Sequence, residues 1–231
     1  MAQPDNATPY QAAEYDRNVR QTIPFYETIH QETIDLVSTV RPDVRCWLDT
    51  GCGTGYLVEL ALPLFPTTQF VLVDPSEAML RQARERLKAA PGDRVRFLDP
   101  VASEGLSAHC GGLTVQVVTA ILCHHYLQPD KRPAAVAACY RVLEDDGLFI
   151  TVENIEPVTE RGTRIGLERW KRRQVGQGWP PEAVEAHQRR FKTRYFPIPI
   201  LEHLDVLKAA GFRVVEAFWL AQMQAGFYAI K

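Results

Sequence analysis

The chain lacks the segments that would direct it into or across a membrane. Its longest nearly apolar run, residues 117–123, is far shorter than the ~20 residues that a membrane-spanning helix requires. The N-terminal stretch MAQPDNATPYQAAEYD has neither the basic start nor the apolar core of a signal peptide. These absences predict a cytoplasmic protein with no membrane partner.

Cysteine is scarce and shows no pairing pattern. The chain has five cysteines, an odd number, and no C-x-x-C pair. Such a set is typical of reduced thiols in the cytoplasm rather than of a disulfide framework.

The chain also lacks a strong overall charge. Its net charge of −2 gives no general attraction to nucleic acid or to a membrane surface. The distribution is uneven, because residues 161–194 contain ten Lys/Arg and three Asp/Glu, an excess of +7, which leaves −9 for the rest. This excess has two interpretations: a solvated helix face, or a surface that attracts an anionic substrate.

The stretch VRCWLDTGCGTGYL, residues 44–57, predicts a strand, a tight turn and the start of a helix. Gly51, Gly53 and Gly55 occupy alternate positions, where side chains would keep a ligand away from exposed backbone amides. Dinucleotide-binding proteins space their glycines differently, as G-x-G-x-x-G. The stretch therefore predicts a small-molecule binding loop, and its spacing argues against a nicotinamide dinucleotide.

A second buried strand, residues 69–73, is followed by Asp74, which lies 21 residues after Gly53. A carboxylate at this distance binds ribose in Rossmann-like sites, because its two oxygens match two vicinal O–H donors. The alternative is a helix cap, since Asp74 precedes Pro75, Ser76 and a predicted helix. Ser76 could provide that cap alone, so we expect Asp74 to bind ribose.

The rest of the chain alternates between helices and strands. The predicted elements are two helices at 10–19 and 24–40, strands at 95–98, 113–122 and 148–153, and a closing hairpin with its turn at 224–226. Residues 1–8 are polar and predicted to fray. We expect one α/β domain over residues 1–231, with N-terminal helices in 1–40 and an inserted helical lid at 154–196.

Two adjacent histidines, His124 and His125, follow the fourth strand. Neighbouring side chains point in different directions, and no acid or cysteine stands at ligand spacing, so the pair predicts no metal site. A histidine can accept a proton near neutral pH. The candidate catalytic residues are therefore His124, His125, Tyr126 and Glu153.

Several motifs together resemble those of the class I S-adenosylmethionine (SAM) methyltransferases. They are Asp49-Thr50-Gly51-Cys52-Gly53-Thr54-Gly55, Asp74, Arg141-Val142-Leu143 and the closing hairpin. The resemblance covers about residues 44–153 and 205–231. It implies a Rossmann-like methyltransferase fold with a mostly parallel seven-stranded sheet and a C-terminal antiparallel hairpin. It also implies SAM as the cofactor and methyl transfer to an acceptor. A small molecule is the expected acceptor, and the basic excess of residues 161–194 is the reason to consider an anionic one.

The resemblance also assigns cofactor contacts to individual residues. They are Asp49, Gly51, Cys52, Gly53 and Gly55 for the methionine part, Tyr26 and Ile121 for the sulfonium end, Asp74 and Pro75 for the ribose, and Met79, Ala102 and Ser103 for the adenine. Another register places Asp99 at the adenine, but the following Pro100 has no N–H to donate. In the lid, Trp170 and Arg194 are candidate substrate-binding residues.

The outer segments are also similar to the carboxy-SAM synthases of tRNA wobble-uridine modification. The similarity rests on Arg20-x-Thr22-Ile23-Pro24-x-Tyr26 and on His203…Ala210-Gly211-Phe212…Ala225-Gly226-Phe227. Those enzymes have a serine at the position of Gly53 and an arginine near position 194 that holds the cofactor carboxylate. Because this chain has the ordinary glycine loop, we expect a methyltransferase. A carboxy-SAM synthase and a non-catalytic SAM-binding module are the alternatives, and a small molecule is favoured over tRNA as the partner.

Overall fold

Seven strands form one sheet at the centre of the computed structural model, which describes residues 5–231. The strands are β1 Cys46–Thr50, β2 Gln69–Val73, β3 Val95–Phe97, β4 Val115–Ile121, β5 Leu143–Asn154, β6 Val214–Ala221 and β7 Gln224–Ile230. Their order is β3-β2-β1-β4-β5-β7-β6, with β7 antiparallel to both neighbours and the remaining pairs parallel. The predicted α/β fold with its C-terminal antiparallel hairpin is confirmed.

Helices cover both faces of this sheet. They are α1 Tyr15–Thr22, α2 Tyr26–Val40, α3 Tyr56–Ala61, α4 Glu77–Arg86, α5 Leu106–His109, α6 Lys131–Val142, α7 Glu160–Gly176, α8 Pro181–Gln188 and α9 Ile200–Ala209. Successive side chains of a strand point to opposite faces. Trp47 of β1 accordingly packs with residues of α2, α3 and α4, whereas Leu48 packs with residues of α6 and α9. Both faces are buried, which explains the nearly continuous apolar sequence of the central strands.

A third apolar cluster joins the N-terminal helices to the lid. It contains Tyr26 from α2, Leu122 from the end of β4, and Trp170 from α7. The Trp170 indole Nε1 donates a hydrogen bond to the carbonyl oxygen of Thr22 at 2.6 Å. Two segments that are far apart in the sequence therefore meet above the carboxyl ends of β4 and β5.

Helix α1 is also attached to the loop between β1 and α3. The Thr54 hydroxyl donates to Asp16 Oδ1 at 2.8 Å, and Arg86 of α4 pairs with the same carboxylate. Arg86 Nε donates in addition to the carbonyl oxygen of Thr54 at 2.8 Å. A partly buried acid thus connects the N-terminal helix with the loop that follows the first strand.

Among residues 5–231, no helix combines the length and the apolar composition that a membrane span requires.

The predicted hairpin turn at 224–226 is wrong. Strand β7 already begins at Gln224, and the chain reverses at Gln222 and Met223, where Gln222 has a φ of +54°. Gly226 pairs with Trp219 in the hairpin. A Cβ at Gly226 would lie 2.6 Å from the ring of Phe218, so this glycine permits a close approach of an aromatic side chain rather than a turn.

We expect Gly226→Ala to lower the free energy of unfolding by roughly 1–3 kcal/mol, because the added methyl group overpacks the Phe218 contact. Gly111→Ala is the matched control, since a Cβ there meets nothing within 4 Å. Urea denaturation of both variants measures the difference. Equal stabilities of the two variants would contradict the packing role of Gly226.

Candidate active site

The glycine loop lies at the carboxyl ends of the parallel strands, where ligands bind in open α/β sheets. Gly51, Gly53 and Gly55 have φ values of +63°, +53° and +76°, a region that other residues rarely adopt. A Cβ at Gly51 would lie 2.5 Å from the Cβ of Cys123, just after β4. The loop therefore needs glycine for its conformation and for its approach to the neighbouring strand.

The first and second strands are connected through Asp74. The amide of Gly53 donates to Asp74 Oδ2 at 2.9 Å, and the amide of Ser76 donates to Asp74 Oδ1 at 2.8 Å. The Ser76 hydroxyl accepts from the amide of Met79 at 3.0 Å and so caps α4. Asp74 thus orients the loop, while Ser76 provides the helix cap.

A cavity of about 330 Å³ lies against this loop, within the ~300–1,000 Å³ of typical small-molecule sites. We call it the nucleoside cavity. Eight of the predicted cofactor residues line it: Gly51, Gly53, Asp74, Pro75, Met79, Ala102, Ser103 and Ile121. Asp99, by contrast, is exposed and borders none of the cavities described in this section. This placement favours the Ala102/Ser103 register for the adenine.

Two smaller cavities adjoin the nucleoside cavity. One, of about 30 Å³, is bordered by Tyr26, Asp49 and Cys52, and we call it the methionine-side cavity. The other, of about 20 Å³, is bordered by His125 and Tyr126, and we call it the acceptor-side cavity. Gly55 borders none of the three; a Cβ there would lie 3.2 Å from the side chains of α4 and its C-terminal end, so its role is packing.

Two buried carboxyl groups, those of Asp49 and Asp74, lie at the site. Burial raises the pKa of Asp49 to about 7, although the Thr119 hydroxyl donates to it at 2.7 Å and opposes this rise. Burial likewise raises the pKa of Asp74 to about 6, against the two backbone hydrogen bonds. No cationic side chain from residues 5–231 contributes to either pKa. A positively charged ligand would supply the missing partner.

The predicted catalytic residues form a buried network. Glu153 accepts hydrogen bonds from the amides of His124 and His125, from His125 Nδ1 at 2.7 Å, and from the Thr151 hydroxyl at 2.7 Å. Burial alone would raise the pKa of Glu153, but the hydrogen bond from His125 opposes this rise, and the pKa is lowered to about 2. Glu153 is therefore ionised and fully occupied, and it cannot reach a substrate.

The two histidines have different surroundings. His125 Nε2 lies 3.1 Å from Asn154 Nδ2, so with Nδ1 donating to Glu153 its Nε2 accepts from the amide. His124 Nε2 lies 2.9 Å from the Ser103 hydroxyl and borders the nucleoside cavity. Burial lowers the pKa of His124, which keeps that ring neutral. Of the two, only His125 faces the acceptor-side cavity.

The lid places its candidate residues outside the cavities. Trp170 is buried against Thr22 and has a structural position, and Arg194 is exposed. Arg190 borders the acceptor-side cavity instead, and its Nη2 donates to the carbonyl oxygen of Ala7 at 2.7 Å. No sequence pattern distinguishes Arg190 from the other basic residues of the lid.

The N-terminal segment also contributes to the site. Residues 5–8 border the nucleoside cavity, which differs from the predicted frayed end; residues 1–4 lie outside the described part of the chain. Asp5 accepts from the Ser76 hydroxyl at 2.7 Å and from the amide of Ala78 at 3.0 Å, at the start of α4. A single aspartate in a polar stretch gives no sequence signal for this contact.

Within residues 5–231, no group of three or more His, Cys, Asp or Glu side chains could hold a metal ion.

Comparison with known proteins shows what this chain is similar to. The model of the methyltransferase domain family matches residues 48–149. The carboxy-S-adenosyl-L-methionine synthase of Nautilia profundicola is 24% identical, over 95% of this chain and 92% of the relative. The synthase of the same name from Methylococcus capsulatus is 23% identical, over 95% and 90%.

Solved structures share the fold. The 1,6-didemethyltoxoflavin-N1-methyltransferase of Burkholderia thailandensis, solved with 1,6-didemethyltoxoflavin and S-adenosylhomocysteine, matches with a TM-score of 0.64 at 17% identity, over 95% of this chain and 84% of that one. An O-methyltransferase family protein from the same organism matches with a TM-score of 0.64 at 15% identity, over 88% of this chain. This chain spans 56% of the length of that second protein.

The family match, the sheet order and the glycine loop agree with one another. Residues 48–149 form a methyltransferase domain, the chain has the fold of SAM-dependent methyltransferases, and SAM is its cofactor or substrate.

Proposed function

We propose that this enzyme transfers the methyl group of SAM to a small acceptor that carries a negative charge. The observation that supports the proposal most is the position of Arg190, whose cationic side chain borders the acceptor-side cavity. The Tyr195 hydroxyl of the same cavity is buried and has no hydrogen-bond partner among residues 5–231. A cation beside an unsatisfied phenol donor suits a carboxylate or a similar anion.

The residues of the glycine loop fit SAM chemically. Its ribose has two hydroxyl donors for Asp74, and its ammonium and sulfonium charges match two carboxyl groups that lack a cationic partner. We assign Asp49 and the backbone of Gly51, Cys52 and Gly53, with Tyr26, to the methionine part. The remaining assignments are Pro75 at the ribose, Met79, Ala102 and Ser103 at the adenine, and Ile121 near the sulfur.

When bound, SAM supplies an electrophilic methyl group whose bonding electrons return to the sulfur. The protein mainly has to align the acceptor and exclude water. His125 is the base that its position favours, since it borders the acceptor-side cavity and Glu153 fixes its Nδ1 proton. To accept a proton, its Nε2 has to give up the hydrogen bond from Asn154 Nδ2. An acceptor that is already anionic at the attacked atom would need no base.

The acceptor-side cavity has to enlarge before an acceptor enters. Its volume of about 20 Å³ is only slightly above the ~10–15 Å³ that a single water needs. Tyr10 from the N-terminal segment and Tyr195 from the lid both border it. We therefore propose that the N-terminal helices, the lid and the sheet form one domain. Within this domain, the N-terminal helices and the lid move apart from each other when the acceptor binds.

A carboxy-SAM synthase is the second candidate. The relatives of that name align over 95% of this chain, and Arg190 could pair with a carboxylate on the cofactor instead of on an acceptor. The glycine at position 53 favours ordinary methyl transfer. For either activity we propose a cytoplasmic location, which is consistent with five free cysteines, and a small molecule rather than tRNA as partner.

The two candidates differ in their products. We expect incubation with SAM and a panel of small carboxylic acids to produce S-adenosylhomocysteine and a methylated acid, detected by mass spectrometry. Arg190→Gln should lose this activity by roughly tenfold or more, since a charge-assisted pair contributes ~1.5–3 kcal/mol. Arg194→Gln, the exposed neighbour, is the control and should retain it.

A cofactor heavier by one CO₂, without any methylated product, would support the synthase instead, and SAM binding without turnover would support a non-catalytic module.

Asp74→Asn should weaken SAM binding about 10- to 100-fold, because a charged acceptor of two ribose hydrogen bonds becomes a neutral amide. Asp99→Asn is the control for the rejected adenine register and should leave the dissociation constant unchanged. Isothermal titration calorimetry measures both. An unchanged affinity in the Asp74 variant would contradict the ribose assignment.

SAM affinity should increase with pH between 5.5 and 7.5. Asp49 and Asp74, with pKa values of about 7 and about 6 instead of 3.8, are partly protonated in the free protein and must ionise to hold a cation. In the free protein, the raised pKa values of Asp49 and Asp74 stabilise the folded state at low pH, and this contribution to stability is lost as the pH rises through 7. Bound SAM offsets the loss, because its positive charge stabilises the ionised carboxylates. We expect an affinity change on the order of tenfold or more and proton release on binding near pH 6.5. A flat profile would contradict the ionisation of these groups, and Asp49→Asn should flatten the upper part.

A further inference from the structure

The three cavities share borders at a small number of residues. The nucleoside and methionine-side cavities have Tyr15, Gly51, Gly53, Ile121 and Leu122 in common. The nucleoside and acceptor-side cavities share Tyr15, Leu122 and Tyr126. Tyr15 and Leu122 are therefore the residues that border all three.

This junction is where a methyl group would pass to an acceptor. The sulfur of SAM connects its adenosine to its methionine part, so it belongs at the boundary of the cavities assigned to those two parts. The methyl group must then face the third cavity. On the assignments of the proposed function, both conditions are met only beside Tyr15 and Leu122 within the described chain.

Tyr15 is held firmly at this position. It is the first residue of α1, and the next residue, Asp16, is fixed to the glycine loop by Thr54 and Arg86. The ring of Tyr10 lies edge-on to the Tyr15 ring, with centroids 6.4 Å apart. The position of the Tyr15 ring is thus set from two directions.

Leu122 is fixed at the end of β4. Its amide donates to the carbonyl oxygen of Val152 at 2.7 Å, and its φ is +56°, a value that leucine adopts only under constraint. Such backbone conformations persist where the surrounding structure imposes them, often at functional sites. The strand therefore presents a rigid apolar side chain at the junction that Tyr15 also borders.

We infer that Tyr15 is the aromatic residue that contacts the sulfonium at the point of methyl transfer. The negative face of an aromatic ring attracts a cation, and the attraction is larger when the cation is desolvated. Burial raises the pKa of Tyr15 well above its ordinary value, so the ring stays a neutral phenol. This inference rests on the proposed function and adds an aromatic contact to the sulfonium beside the glycine loop and the two carboxyl groups.

Tyr26, the other aromatic candidate for this contact, has a different environment. It borders the methionine-side cavity alone among the three, and its ring is stacked on that of Tyr56 with centroids 5.7 Å apart. The guanidinium carbon of Arg20 lies 5.6 Å from the Tyr26 ring centroid. A ring whose surroundings already include a stacked ring and a cation is a poor partner for a second cation, which makes Tyr26 a suitable control.

The test compares SAM with S-adenosylhomocysteine, which lacks the methyl group and the positive charge. Calorimetric dissociation constants of both ligands are measured for the wild type, Tyr15→Leu, Tyr15→Phe and Tyr26→Leu. Tyr15→Leu should weaken SAM about 3- to 30-fold more than it weakens S-adenosylhomocysteine, as expected for a cation–π contact. Tyr15→Phe retains the ring and should keep the wild-type ratio, and Tyr26→Leu should affect both ligands equally.

If Tyr15 has a purely structural role, Tyr15→Leu should lower the affinities for both ligands to the same extent. That result would overturn the inference, but SAM binding by the wild type would leave the proposed function intact. A wild type that binds neither ligand would overturn the proposed function itself. If Tyr15→Leu does not fold, Tyr15→Met, which has a longer and more flexible apolar side chain, tests the same ratio of affinities.

Discussion

The hydrogen bond from the Gly53 amide to Asp74 is the contact on which the site depends. It joins the loop after β1 to the end of β2 and fixes the carboxylate that we assign to the ribose. The same loop requires positive φ values at its glycines and approaches Cys123 so closely that a Cβ at Gly51 is excluded. The loop, the carboxylate and the end of β4 are thus positioned by one set of local constraints.

The segments outside the sheet complete the site by closing over it. Asp16 attaches α1 to Thr54 and Arg86, Trp170 attaches the lid to the end of α1, and Asp5 lies at the start of α4. These contacts cover the ligand-binding edge of the sheet with residues from both ends of the fold. The covering explains why the acceptor-side cavity is small and why the buried acids Asp49 and Asp74 have raised pKa values.

Much of the fold and of the loop chemistry could be predicted because the signals are local. The end of a strand and the residues after it are adjacent in the chain, so the glycine loop after β1 and Asp74 after β2 could be predicted from the sequence. Ala102 and Ser103 follow only from the family resemblance. The turn at 224–226 was predicted wrongly because glycine has two uses, and here Gly226 accommodates Phe218. Arg194 follows from the resemblance to the carboxy-SAM synthases, and the sequence does not reveal that the chain turns at Lys192, with a φ of +57°, after α8 has ended. Tyr15 had no distinguishing pattern, since its position depends on contacts with three separate segments.

We propose that one ligand spans the glycine loop, with its sulfur at the junction of the three cavities. A crystal structure of the protein with S-adenosylhomocysteine would locate that ligand. We expect the ribose at Asp74, the adenine beside Ala102 and Ser103, and the sulfur between Tyr15 and Leu122. A ligand bound away from the glycine loop, or one whose sulfur lies remote from Tyr15 and from the acceptor-side cavity, would contradict it.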